Sequence, residues 1–200
     1  MYRVQRTAIL QTATTQAVLQ AVVLQVLPIT ELQLQTAIMQ ARQNMPLQQR
    51  FTTIRQYFPH MNTIIHYIGD LKEQAYRDLA NEFEKRLSAY TKLTNTESKS
   101  DDGIIASLKD RSYKIAMCIE GKQLSSEEFA ALIEKATSGG NSTIEFVIGG
   151  AEGLSEPVKA RCDYRLSMSR MTFTHRMARV LLLEQIYRAF SINAGTKYHK

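Results

Sequence analysis

Four residues near the C-terminal end of this 200-residue chain carry side chains suited to handling a proton or a developing negative charge: His175, Arg179, Tyr198 and His199. His175 opens a long apolar segment, and an imidazole there suits a general base, a helix cap or a surface position. Arg179 follows four residues later and shares a helical face with it, so the two could address one ligand. Tyr198 could stack on a planar ring, and His199 could donate to a phosphate or accept a proton. Terminal residues of this kind also fray. Upstream, Gly149 and Gly150 sit in "VIGGAEGLS" directly after an apolar run. A missing Cβ lets a backbone approach a ligand closely, although a glycine turn after a strand also serves structure alone. The pattern is neither the dinucleotide G-x-G-x-x-G nor a phosphate-binding P-loop. Met117, Met168 and Met171 offer polarizable packing, to a ligand or to a core.

The elements that must position these groups alternate between strand and helix from Met61 onwards. Asn62–Ile68 is β-rich and ends at Gly69. Leu71 to Tyr90 is helical, with Leu71, Ala75, Leu79, Phe83 and Leu87 recurring every four residues. Thr94 to Gly103 is polar and loop-like. A second strand runs from Tyr113 to Ile119 and is ended by Gly121. Ser125 or Ser126 caps a helix to about Thr137, with Glu127 and Glu128 suited to its first turn, and Gly139 and Gly140 end it. A third strand, Ile144 to Ile148, runs straight into the glycine turn. A short helix, a short strand near Leu166 and a long helix from about Thr174 to Phe190 follow. Such alternation predicts an α/β fold with a mostly parallel sheet covered by helices on both faces, and ligands at the carboxyl ends of its strands.

Composition divides the chain at Met61. Residues 1–60 hold 12 Gln and three of the four prolines, with no Gly, Lys or Asp, while all nine glycines lie beyond residue 61. The first part reads helical: Thr7 to Leu27 stops at Pro28, and Thr30 caps a second segment towards Asn44, which Pro46 ends. Arg3 and Arg6 before apolar residues mimic a signal peptide, but Gln11, Gln16, Gln20 and Gln25 interrupt the apolar stretch. A transit peptide fits less well. The expectation is a Gln-rich helical extension, either lineage-specific or a mis-called upstream reading, with Met61 the original start.

Net charge is +4 over residues 1–60, −5 over 61–158 and +7 over 159–200. The basic C-terminal part is either the footprint of a polyanion partner or a solubilising face. Hydrophobic residues at 44% exclude global disorder, and no run of 18 or more apolar residues exists. Cys118 and Cys162 exclude a disulfide scaffold and a four-cysteine zinc site.

The segments "IGGAEGL", "LSMSRMTFTHRMARVLLLEQIYRAF" and the terminal "YHK", preceded by "GDLKEQAYRDLANEFEKRLSAYTKL", together resemble the SPOUT superfamily of RNA methyltransferases, and within it the ribosomal RNA large subunit methyltransferase H family. The resemblance covers Met61 to Lys200. It implies a C-terminal trefoil knot, a homodimer, a cytoplasmic location, no metal, and S-adenosylmethionine as methyl donor. The substrate it implies is a pseudouridine in a stem-loop of large-subunit ribosomal RNA, methylated at N3, within the ribosome. Carried over by motif, the donor site is Met117, Gly149, Met168, Ser169, Arg170, Met171, Thr172 and Phe173. The imide N3 must lose a proton to become nucleophilic, which gives His175, Arg179, Tyr198 and His199 their candidate roles. Arg161, Arg165, Arg170, Arg176, Arg188, Lys197 and Lys200 would contact phosphates, although Arg188, four residues after Glu184, suits an internal pair. The apolar run Val180 to Leu183 fits a knot core, a dimer contact or burial within one monomer.

Two features depart from the family pattern. Thr174 stands where the family has proline, which predicts a looser start to the last helix. "TNTESKSDDGIIASLKD" is too short for the strand and longer helix usual there, so the sheet is expected to lack a strand or to leave an edge exposed. The extension and the shortened middle also permit a second reading, a non-catalytic RNA- or ribosome-binding relic of the family.

Overall fold

The computed structural model describes residues 61–196. The helical extension expected over 1–60 lies outside the described residues, as do Lys197, Tyr198, His199 and Lys200.

Among the described residues, five strands alternate with five helices: β1 (Asn62–Ile68), α1 (Gln74–Leu87), β2 (Lys92–Ser98), α2 (Asp101–Ser107), β3 (Tyr113–Gln123), α3 (Ser126–Ser138), β4 (Thr143–Ile148), α4 (Glu156–Lys159), β5 (Tyr164–Ser167) and α5 (His175–Asn193). The strands form one sheet in the order β2-β1-β4-β3-β5, and each neighbouring pair is parallel. β4 is buried along its whole length, as a central parallel strand must be when helices cover both faces. Its residues Ile144, Phe146 and Ile148 face a core shared with α1, α3 and α5. Val147 faces the opposite side, where Ile104 of α2 and Val158 of α4 close a smaller cluster.

The capping logic of the sequence holds at two helices. Ser125 and Glu128 form a reciprocal capping box at the start of α3. At α5, the Thr174 hydroxyl accepts the Met177 N–H at 3.3 Å. The looser start expected there is therefore corrected: threonine supplies a side-chain cap that proline lacks.

Three further expectations change. The segment after Tyr90 holds both a strand and a helix, so the expected loss of a strand is corrected, while the alternative, an exposed edge, fits β2 as the partly buried outer strand. β2 pairs with β1 over seven residues, and α2 follows after a two-residue turn with Ser100 as its cap. β2 reads as loop because it is a polar edge strand, KLTNTES, with only partial burial; polar side chains on an edge discourage pairing between molecules. On α1, Leu79 is 48% exposed and Ala75 also faces solvent, whereas Tyr76, Ala80, Phe83 and Leu87 pack inward. A strict spacing of four drifts about 40° per step around a 3.6-residue helix, so the buried stripe steps by three and four. Finally, β3 does not end before Gly121 but continues to Gln123, as described next.

Candidate functional site

The middle of β3 and the carboxyl ends of β4 and β5 form the floor of one cleft. Met117 is in register with Ile148 on one side and with Leu166 on the other, so the three side-by-side residues make a row across the sheet. All three line a cleft of about 830 Å³, its open mouth included. Beyond this row each chain segment turns outward to build a wall.

The first wall is a bulge in β3. Leu166 pairs with both Met117 and Lys122, so the residues between them loop out of the ladder. Of these, Cys118, Ile119 and Glu120 line the cleft. Gly121 brings the strand back against β5: a Cβ there would lie 2.5 Å from the Leu166 carbonyl carbon and 2.7 Å from the Ser167 nitrogen. Only glycine allows two backbones that close. A glycine inside a β-rich run is itself a bulge signal, and it points to this wall more directly than to a strand end.

The second wall is the glycine-rich loop after β4, residues 149–154. Gly149 lies against its own loop. A Cβ there would stand 2.2 Å from the Gly153 carbonyl carbon and 2.7 Å from the Leu154 nitrogen. A side chain at this position would therefore meet the loop's own backbone, while Gly149 itself lines the cleft. The loop is closed by one turn bond, Gly153 N–H to Gly150 C=O at 3.1 Å.

The third wall is the Ser/Thr-rich bend after β5. The Ser167 hydroxyl donates to the Ser169 carbonyl at 2.9 Å, and the Ser169 hydroxyl accepts the Met171 N–H at 3.0 Å. Hydroxyl side chains thus shape a bend that carries no regular backbone ladder. Met168, Ser169, Met171, Thr172 and Phe173 line the cleft, whereas Arg170 is exposed and does not. Met117 is also part of the main core, but Met171 is 73% exposed, so it does not fill a core.

Of the four proton-handling candidates, the structure brings one to the cleft. His175 lines it from the first turn of α5, and its ring rests on Gly69, where a Cβ would stand 3.2 Å from Nε2. Arg179 does not reach the cleft. It is buried, with its guanidinium carbon 3.7 Å from the centre of the Tyr67 ring and Nη2 3.7 Å from Glu84 Oε1. Glu84 also accepts Asn95 Nδ2 at 2.9 Å, so Arg179 belongs to a network joining α5, α1, β1 and β2. The reason is geometric: a helical face shared with His175 turns, at Arg179, onto the sheet. Tyr198 and His199 lie outside the described residues.

Charge at the rim is self-compensated. Lys159, which lines the cleft, contacts Glu120 at 2.5 Å and Glu156 at 3.1 Å, and Arg165 contacts Glu156 at 3.1 Å. Hydrogen bonding to Lys159 holds the Glu120 carboxyl below its ordinary value and raises the Lys159 ammonium in return. Neither cysteine is poised as a thiolate. Burial pushes the Cys118 thiol up and drives Cys162 to about 11.

Among the proposed phosphate contacts, Arg165, Arg176 and Arg188 are paired to Glu156, Glu73 and Glu184. Arg161 and Arg170 are exposed and form no ion pair among the described residues. Val180, Leu182 and Leu183 are buried within the single chain, and Leu181 only partly, so a dimer contact is not needed to cover the first three.

The family described as predicted SPOUT methyltransferase matches residues 61–199. The ribosomal RNA large subunit methyltransferase H of Clostridium acetobutylicum is 44% identical over 159 residues, covering 70% of this chain and 100% of that protein. Its counterpart from Clostridioides difficile is 45% identical over 159 residues, with the same 70% and 100% coverage. Among solved structures, a probable methylase family protein from Haemophilus influenzae Rd KW20 is 16% identical with a TM-score of 0.48, covering 70% of this chain and 71% of that one. The chain, over its parallel sheet and the three loops that wall its cleft, belongs to the SPOUT methyltransferase family.

Proposed function

We propose that the protein transfers a methyl group from S-adenosylmethionine to N3 of a pseudouridine in a stem-loop of large-subunit ribosomal RNA, acting on the ribosome in the cytoplasm as a homodimer with a C-terminal trefoil knot. The observation that carries this reading is the convergence of three sequence-distant segments, at Met117, Ile148 and Leu166, on one cleft. Identity of 44% to a protein named as a large-subunit ribosomal RNA methyltransferase supports the substrate class. Among the described residues no helix is long and apolar enough to cross a membrane.

The cleft suits such a donor. Met117, Leu154 and Leu166 offer apolar surface for an adenine ring, and the three glycines of the loop offer backbone N–H and C=O groups. When bound, S-adenosylmethionine supplies an electrophilic methyl group on a sulfonium. The task left to the protein is in-line positioning and removal of the N3 proton. His175, in the cleft and held against Gly69, is the residue assigned to take that proton. Arg179, stacked on Tyr67, positions the first turns of α5 and with them His175. Of the arginines expected to contact phosphates, Arg161 and Arg170 are the described ones outside an ion pair, and their contribution should fall steeply with salt.

The relic reading is not favoured, because all three walls of the cleft are present together. Calorimetry with S-adenosylmethionine tests this directly; no binding by the folded protein would restore the relic. The decisive experiment is methylation of ribosomes from a strain lacking this gene, with the product base identified by mass spectrometry. N3-methylpseudouridine in large-subunit RNA is the expected product, and its absence would refute the assignment. Naked RNA run in parallel tests the ribosome as the substrate.

A further inference from the structure

We propose that Asp101, at the first position of α2, is a positioning residue for the cleft: its carboxylate holds the glycine-rich loop in its working shape. This rests on the reading of the cleft as the methyl-donor site. Asp101 Oδ2 accepts the backbone N–H of Ser155 at 3.0 Å, across 54 residues of sequence. Ser155 directly follows Leu154, the last loop residue in the cleft wall, and is the cap of α4. The Ser155 side chain makes no capping bond, so the start of α4 draws its tether from α2.

The loop needs one. It contains three glycines, the residues with most freedom to lose, and its own backbone ties only Gly150 to Gly153, through a turn bond and an isolated antiparallel bridge. Leu154 anchors it through apolar burial. Asp101 adds a directional anchor one residue later. A carboxylate accepting a backbone N–H is among the stronger hydrogen bonds.

A tether works only if its own base is fixed, and α2 is fixed at its far end. Ile104 is fully buried. The Ser107 hydroxyl lies 3.0 Å from His66 Nδ1, and the Lys109 N–H donates to Glu145 Oε1 at 3.0 Å. α2 therefore spans from a buried polar pair in the sheet to the loop at the cleft.

The test uses the full chain, calorimetry with S-adenosylmethionine, and steady-state kinetics on ribosomes. Asp101→Ala should weaken donor binding roughly tenfold, as expected for loss of a charged hydrogen bond, and should raise the donor KM with little change in kcat. Asp101→Asn keeps an acceptor and should recover most of the affinity. Ser155→Pro acts on the other partner: it removes the N–H at a residue whose φ of −70° proline can adopt. It should reproduce the Asp101→Ala loss, and the double variant should cost no more than either single one. Wild-type affinity in either folded single variant would overturn the proposal, as would additive losses in the double variant, or a fall in kcat with an unchanged donor KM. No binding by the wild-type protein would instead overturn the donor-site reading, and this proposal with it.

Discussion

His66 Nε2 and Glu145 Oε2 lie 2.5 Å apart between adjacent strands, with 1% of His66 and none of Glu145 exposed. Glu145 also accepts from the Ser112 hydroxyl and the Lys109 N–H, so one carboxylate ties the loop after α2 to the sheet. Burial pushes this carboxyl up, but the hydrogen bonds from His66, Ser112 and Lys109 together hold it below its ordinary value. A carboxyl depressed in the folded state contributes stability that is fully present above its unfolded value, about 4.3, and that fades as pH falls through the folded one. The melting temperature should therefore drop as pH is lowered below about 4.3, and Glu145→Gln should flatten that dependence. Glu145→Ala, which strips partners from three donors, should cost about 3–5 kcal/mol in denaturant unfolding at neutral pH.

Gly121→Ala tests the β3 bulge. Its Cβ would meet the Leu166 backbone at 2.5 Å, and neither strand can retreat without breaking the ladder. The expected cost is about 3 kcal/mol, the upper end of overpacking penalties, with a loss of donor binding. Thermal melting and calorimetry on one preparation measure both. An unchanged melting temperature would show that the two backbones have room to part.

Gly149→Val should reduce stability and donor binding together, because the clash is with Gly153 and Leu154 and the loop itself must rearrange. A variant that melts like the wild type yet binds no donor would show that the added side chain fills the donor's space and not the loop's.

His175→Ala and Arg179→Met should separate chemistry from positioning. The histidine variant should lose about 10²-fold in kcat, the ordinary contribution of a general base, while keeping donor affinity within a few-fold. The arginine variant should lower the melting temperature first, because it removes the stack on Tyr67 and the contact with Glu84. Equal kcat in His175→Ala and wild type would remove His175 from proton transfer.

How far such a site can be read from sequence depends on whether its signals are local. Ser125 and Glu128 announce α3, and the apolar run of β4 with the glycines behind it announces a buried parallel strand, since both signals lie within a few residues. The gathering of Met117, Gly149 and the bend from Met168 to Phe173 on one cleft is legible through family motifs, not through periodicity. β2 was hidden because an edge strand keeps its polar residues. Arg179 was misplaced because a shared helical face says nothing of what lies opposite. Asp101 carries no local signal of its role, and Gly121 signals a break in the strand but not what it passes, since their partners Ser155 and Leu166 are far along the chain.

The row formed by Ile148, Met117 and Leu166 has a mechanical consequence. Because the middle member is laddered to both neighbours, the three walls rise from one stiff plate and share a single datum. A molecule seated there feels the three loops as one instrument, and a shift imposed on any one strand end is handed to the other two.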